Sequence, residues 1–259
     1  MVRGVLLDLS GVLYVGGQPL AGALDALGRL RAGGLALRFV TNTTRSTRDQ
    51  ILAQLTGMGF GVDADEVFTA PLAARAYLQA RRLRPYLLVH PNLFPEFEDL
   101  EEDAPNTVLV GDAGEGFTYA DMNRAFRLLM EGAPLVAMAR NRYFQEADGL
   151  SLDAGPFVAA LEYAAGVEAV VTGKPAAEFF QAACASLGCT PEDTVMVGDD
   201  VDADVNGATA AGLQGVLVQT GKYRTGDEQH LNGPDAIVLP DVAAVADWLL
   251  ERATGRDDS

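Results

Sequence analysis

Gly4-Val5-Leu6-Leu7-Asp8-Leu9-Ser10-Gly11-Val12-Leu13-Tyr14 puts an aspartate at the end of a short apolar run and follows it with a serine-glycine turn. Three further apolar runs also end in residues suited to phosphate chemistry: 37–40 before Thr41-Asn42, 169–171 before Thr172-Gly173-Lys174, and 194–197 before Gly198-Asp199-Asp200. Short runs rich in Val and Leu, bounded by turn residues, read as buried parallel strands. All four are expected in one sheet with their carboxyl ends lining one crevice, where ligands of open α/β sheets bind. A carboxylate, a hydroxyl, a lysine and an acidic pair would meet there.

Outward from these runs, strand and helix signals alternate. Leu24, Leu27 and Leu30 share one helix face that Gly33-Gly34 stops, and Ser46-Thr47 precede a second helix with Ile51, Leu52 and Leu55 on one side. This β-α-β-α order implies a parallel sheet with right-handed crossovers. Between Pro71 and Thr172 a second α/β set follows, with strands at 86–89, 107–110 and 135–138 and helices at 121–131 and 156–165. The acidic segment 96–103 reads as a solvated loop or helix face. Beyond Lys174 come a helix at 179–187, strands at 194–197, 216–218 and 236–239, and a closing helix capped by Asp241; residues 254–259 are expected to fray. The expected fold is therefore α/β: a Rossmann-like parallel-sheet core, residues 1–72 and 173–259, with a smaller α/β cap, residues 73–172, inserted as a lid.

Composition narrows the function. The chain has 259 residues, comfortable for two cores, and a formal net charge of −17. That field repels nucleic acid and anionic membranes, so an anionic substrate must be drawn in by local positive charge or metal. No apolar run approaches the roughly 18 residues of a membrane span. Met1-Val2-Arg3-Gly4 runs straight into a strand, so no cleavable leader is expected and the compartment reads as cytoplasmic. Cys184 and Cys189 match neither a metal pair nor a disulfide framework. Of 19 basic residues only Lys174 and Lys222 are lysines, each in a Thr-Gly-Lys triplet. Lys174 reads as a point charge on a phosphoryl oxygen; Lys222 reads equally as that or as an exposed loop cation.

Phosphoryl transfer needs a nucleophile, cations on the equatorial oxygens and a divalent metal to offset repulsion between carboxylate and phosphate. Asp8 supplies the first and Lys174 with a metal the rest. Asp199 and Asp204 are hard oxygen ligands suited to Mg²⁺, although acids at a helix N-terminus are also welcomed by the macrodipole. Asp202 reads either way. Thr41-Asn42-Thr43-Thr44-Arg45, between a strand and a helix, brings hydroxyls and N–H groups toward an anion, with helix capping as the plain alternative.

Taken together and in order, the Asp8–Tyr14 stretch, Thr41-Asn42, Gly173-Lys174-Pro175 and Gly198-Asp199-Asp200 through Asp204 resemble the four motifs of the haloacid dehalogenase superfamily of phosphohydrolases. The inserted block, with Arg142-Tyr143-Phe144, Gly155-Pro156-Phe157 and Thr220-Gly221-Lys222-Tyr223, resembles the branch holding the phospholysine phosphohistidine inorganic pyrophosphate phosphatases and hydrolase-domain-containing-2 proteins. The resemblance implies that Asp8 is nucleophile and Mg²⁺ ligand, that Ser10 ligates through its carbonyl and that Asp199 is the third protein ligand. It implies that Thr41, Asn42 and Lys174 grip the phosphoryl and that Asp200 and Asp204 orient Lys174 and metal-bound water. Arg140, Asn141 and Arg142, after a lid strand, are expected at the leaving group. The implied partner is a small phosphorylated substrate or pyrophosphate, and a homodimer is suggested.

Ser10 stands where the family usually has an aspartate acting as general acid. Substrates with good leaving groups, namely pyrophosphate, phosphohistidine, phospholysine and aryl phosphates, are therefore expected. The alternative is a phosphate- or phosphoprotein-binding module weakened in turnover. A dehalogenase leaves the acids around Asp199 unexplained, and a receiver domain would be about half as long with its acidic pair before the phosphorylated aspartate.

Overall fold

Val5, Leu6 and Leu7 are fully buried, as a strand covered on both faces must be, and Gly4–Asp8 lies inside a six-stranded sheet. The order is Ile237–Leu239, Gln214–Val218, Thr194–Gly198, Gly4–Asp8, Ala36–Thr41 and Val67–Thr69. Pairing is parallel from Ile237–Leu239 through Ala36–Thr41, with Leu6 opposite Met196 on one side and Arg38 on the other. The computed structural model describes residues 2–100, 104–146, 149–232 and 236–253. The acidic residues 101–103 and the segment 254–259 lie outside them; Phe94–Phe97 is helical, and Glu98 and Asp99 beyond it are exposed.

The chain forms two compact units. The first comprises Met1–Thr41, Arg48–Phe68 and Lys174–Ser259; the second comprises Asn42–Thr47 and Thr69–Gly173. In the first, Val5, Leu7, Phe39, Val195, Val197, Val216 and Val218 of the sheet pack with Leu27 and Leu30 of the Ala23–Ala32 helix and Val245 and Leu249 of Val242–Ala253. Asp241 accepts the Ala244 N–H at 2.9 Å, the expected cap. Leu24, expected inward, is 45% exposed, because the buried stripe of its helix runs through Ala23, Ala26, Leu27 and Leu30. Arg38 is a buried exception in its strand; its guanidinium donates to the Asp65 and Ser186 carbonyls.

The second unit carries a four-stranded parallel sheet ordered Val170–Val171, Leu135–Ala137, Thr107–Val110 and Pro85–Leu88. This corrects one expectation. The run 169–171 does not join the sheet of Asp8; Val170–Val171 is an edge strand pairing with Leu135–Ala137. A two-residue strand with Val170 40% exposed carries too little apolar pattern to specify its sheet from sequence. Helices Tyr119–Met130 and Ala154–Ala165 fall near the expected spans. The helix Ala70–Arg81 and the antiparallel ribbon of Tyr143–Glu146 with Gly149–Leu152 were not anticipated. Alanine-rich spacing hides the first, although Thr69 caps it by accepting the Leu72 N–H at 3.2 Å.

These packing differences set a stability test. Phe39→Ala, at a fully buried sheet position, is expected to cost about 3–5 kcal/mol in urea unfolding. Leu24→Ala is expected to cost under about 1 kcal/mol. Equal losses would contradict the assignment of faces.

Candidate active site

Leu7 pairs with Val197, so neighbouring parallel strands end level with one another and place Asp8 beside the Gly198-Asp199 turn. Asp200 then caps the turn Val201–Asn206 by accepting the Asp202 and Ala203 N–H groups at 3.2 and 3.0 Å. That turn brings Asp204 back toward the strand, where its carboxylate accepts the Asp200 N–H at 3.2 Å. Gly198 makes the approach feasible: a Cβ there would lie 2.2 Å from that of Asp204.

Asp8, Asp199 and Asp204 are all buried and offer oxygens within 4.8 Å of one another. Lys174, 4% exposed, donates to Asp8 and, at 2.6 Å, to Asp204. Burial would discharge the ammonium, but Asp204 and Asp8 outweigh it and raise its pKa. Burial pushes Asp199 up to about 7, with Asp8 and Asp204 adding to the rise and the Lys222 N–H opposing it. Burial likewise raises Asp204 against the pull of Lys174. Asp200 shifts down: burial alone would raise it, and Lys222, 3.1 Å away, together with the Ala203 N–H and the charge of Lys174, more than offsets that.

One ammonium among three buried carboxylates leaves a charge deficit that a cation would fill. Asp199 Oδ1 is buried and has no hydrogen-bond partner, although unpaired buried carboxylate oxygens are costly. Hard oxygens grouped this way fit Mg²⁺.

The other expected residues are distributed as follows. Ser10 is exposed in the turn after Asp8, which the Gly11 N–H closes onto the Tyr14 carbonyl at 2.8 Å. Thr41 is buried at the end of Ala36–Thr41. Asn42 belongs to the second unit, its side chain packed where a Cβ on Gly173 would be 2.7 Å from Oδ1. Arg142 is an exposed residue of the second unit, its carbonyl accepting the Asp153 N–H at 3.3 Å. Arg140 pairs with Glu162 at 2.8 Å. Asp200 bonds the Lys222 ammonium, a contact the sequence reading did not assign, and the charge of Lys174 also acts on it. Asp202 is exposed and accepts from Asn206 at 3.2 Å, apart from the carboxylate group.

Two sets were missed. Thr44 accepts the Asp112 N–H at 3.0 Å, and Arg45 bonds the buried Asp112 and lies 4.4 Å over the Phe144 ring. The distal half of the expected anion loop is thus anchored within the second unit; nothing in the sequence singled out Asp112. The other set is Gly11, Thr220, Gly221 and the Lys222 N–H around Asp199. Repetition of Thr-Gly-Lys was the available signal, but it pointed to the Lys222 side chain rather than its backbone.

Residues 5–101 match the model of the haloacid dehalogenase-like hydrolases and residues 171–245 a HAD-hydrolase-like model. Haloacid dehalogenase-like hydrolase domain-containing protein 2 of Homo sapiens is 44% identical over 96% of each chain. The chain belongs to the haloacid dehalogenase-like hydrolases. This hydrolase is also 46% identical to a phospholysine phosphohistidine inorganic pyrophosphate phosphatase of Xenopus laevis, over 88% of this chain and 87% of that one. Among solved structures, a 4-nitrophenylphosphatase of Thermotoga maritima superposes with TM-score 0.88 and 27% identity, over 95% of this chain and 97% of that one. A glycerol phosphate phosphatase of Mycobacterium tuberculosis in complex with magnesium gives TM-score 0.83 and 28% identity, over 95% and 77%. This hydrolase is a phosphatase of the family.

The raised Asp199 has a measurable consequence. Its folded pKa of about 7 exceeds the unsupported value of 3.8, so the folded state keeps a proton that the unfolded chain releases. Without a divalent cation this group's contribution to stability therefore falls as pH rises between those values. A divalent cation held by these oxygens would take the deprotonated form, so the gain in Tm with Mg²⁺ over EDTA should be larger near about pH 8 than near about pH 5.5. Asp199→Asn should abolish that difference; an unchanged difference would remove Asp199 from the cation site.

Proposed function

We propose that this chain is a cytoplasmic, Mg²⁺-dependent phosphohydrolase that works through an aspartyl-phosphate at Asp8. Its preferred substrates are those with good leaving groups: pyrophosphate, phosphoramidates such as phosphohistidine or phospholysine, and aryl phosphates. The observation that carries this reading is Asp8 at a buried strand end, bonded by Lys174 and grouped with Asp199 and Asp204. The pyrophosphate, phospholysine and phosphohistidine activities named for a relative and the nitrophenyl phosphate activity named for a structural neighbour support it.

An Asp8 oxygen attacks phosphorus, the bond to the leaving group breaks, and the leaving group departs with the electron pair. Water then attacks the acyl phosphate, releasing phosphate and restoring the carboxylate. Asp8, the Ser10 carbonyl and Asp199 are the residues to hold Mg²⁺, which when bound offsets the repulsion between carboxylate and phosphoryl oxygens. Thr41, Asn42 and Lys174 grip the phosphoryl group. Asp204 keeps the Lys174 ammonium charged and oriented, while Asp200 starts the turn that carries Asp204. Arg142 contacts the leaving group, and the inserted block 73–172 acts as a lid that excludes water. The free thiols of Cys184 and Cys189 suit a reducing compartment, and no helix among the described residues is long and apolar enough to cross a membrane. The homodimer suggested by the resemblance is part of the proposal, and sedimentation velocity tests it.

Ser10 decides the substrate class. An alkoxide leaving group needs a proton, and a positioned acid contributes about 10²–10⁴-fold to such a step. A serine hydroxyl is too weak an acid to supply it, whereas phosphate, the neutral amine or imidazole released from an already protonated phosphoramidate, and a phenolate leave without it.

Asp8→Asn is expected to abolish turnover with the fold intact; a tenth or more of the activity remaining would rule out covalent catalysis at Asp8. Wild-type kcat/KM should be higher for pyrophosphate than for glycerol phosphate, and Ser10→Asp should narrow the gap by helping the alkyl ester. Comparable wild-type efficiencies would overturn the leaving-group reading. Metal-independent retention of phosphate without release would favour the binding-module alternative.

A further inference from the structure

Asp199 is engaged on one oxygen only. Its Oδ2 accepts the Lys222 N–H at 2.7 Å, while its buried Oδ1 has no partner. Two glycines from loops far apart in sequence press against the engaged side. A Cβ on Gly11 would lie 1.9 Å from Oδ2; one on Gly221 would lie 2.1 Å from Oδ2 and 2.4 Å from the Gly11 Cα. Both have positive φ, 91° and 63°, so a side chain at either position meets backbone strain as well as a clash. The Thr220 hydroxyl donates to the Gly11 carbonyl and ties the two loops together.

We propose that Gly11 and Thr220-Gly221-Lys222 form a clamp that fixes Asp199 with Oδ2 occupied and Oδ1 free, restricting it to one donor oxygen and so selecting Mg²⁺ over Ca²⁺. Mg²⁺ demands near-ideal octahedral geometry and binds carboxylates sparingly, whereas Ca²⁺ takes more oxygens and accepts bidentate carboxylates. A carboxylate whose second oxygen is held by an N–H group is poorly placed for bidentate binding. These are positioning residues, since they act through Asp199.

The clamp also separates the two Thr-Gly-Lys triplets. Lys174 works through a buried ammonium. The Lys222 side chain is 66% exposed and its ammonium pairs with Asp200, so its contribution to Asp199 is the backbone N–H.

The inference rests on the metal reading of the carboxylate group, and the experiment tests the two separately. Mg²⁺ and Ca²⁺ are titrated calorimetrically into the full-length protein without substrate, as wild type, Gly221→Ala and Thr220→Val. Circular dichroism and Tm in EDTA report the fold. Wild type should bind Mg²⁺ more tightly than Ca²⁺. Gly221→Ala should weaken Mg²⁺ by about 10- to 100-fold, the usual range for lost support of a metal ligand. Ca²⁺ should weaken less, so the Mg²⁺/Ca²⁺ preference narrows. Thr220→Val, nearly isosteric, should move the ratio in the same direction, and it decides the matter alone if Gly221→Ala does not fold. General loosening would weaken both ions alike, and an unchanged ratio in the folded variants overturns the clamp. Wild type that binds no Mg²⁺ overturns the metal reading and the clamp together.

Discussion

A single buried ammonium held between two carboxylates organises the carboxylate cluster of the first unit. Lys174 meets Asp8 from one strand end and Asp204 from the turn after the next strand, with Asp199 close by. Desolvating an ammonium and carboxylates is costly, and losing one partner of such a buried pair generally costs about 3–5 kcal/mol. Here the cost is only partly offset, because three acids outnumber the base. Burial raises Asp199 and Asp204, and the neighbouring acids add to the rise. Excess negative charge and an unpartnered carboxylate oxygen are the features on which the proposed cation site, and through it the proposed phosphoryl site, rests. A formal net charge of −17 over the whole chain makes that local arrangement the more necessary.

Holding so many acids together requires the backbone to come very close to them. Gly198 admits Asp204 against the strand, and Gly11 with Gly221 flanks Asp199. Each position excludes a methyl group by a wide margin, so glycine is dictated by contact distance there. In the second unit Gly173 plays the same part, allowing the Met138 carbonyl and the Asn42 side chain to approach its Cα. Asn42 and Gly173 fall with the second unit, while Thr41 and Lys174, their chain neighbours, fall with the first. The chain therefore passes between units at two of the positions that carry the phosphate motifs.

Much of this was legible in the residue order. Apolar runs ending in Asp8, Thr41 and Gly198-Asp199 announced parallel strands with polar ends, because full burial on both faces demands unbroken Val and Leu. Lys174 and Lys222 stood out in a chain that otherwise uses arginine. Less was legible where the local pattern is short or ambiguous. Val170–Val171 has too few residues to declare a sheet, and the helix Ala70–Arg81 is masked by alanines. The bond from Arg45 to Asp112, distant in sequence, had no local signal either.

By itself the sequence determined the alternation of strand and helix, the residue types at the strand ends and the family they resemble, because these depend on local periodicity and on motif order. The tertiary structure alone decided which sheet Val170–Val171 joins, which lysine Asp200 pairs with, and that the Lys222 backbone rather than its ammonium holds Asp199. Such contacts can join positions 209 apart, as between Thr220 and Gly11. Their free energy comes from burial and distance in the folded chain, quantities that no local window of sequence contains.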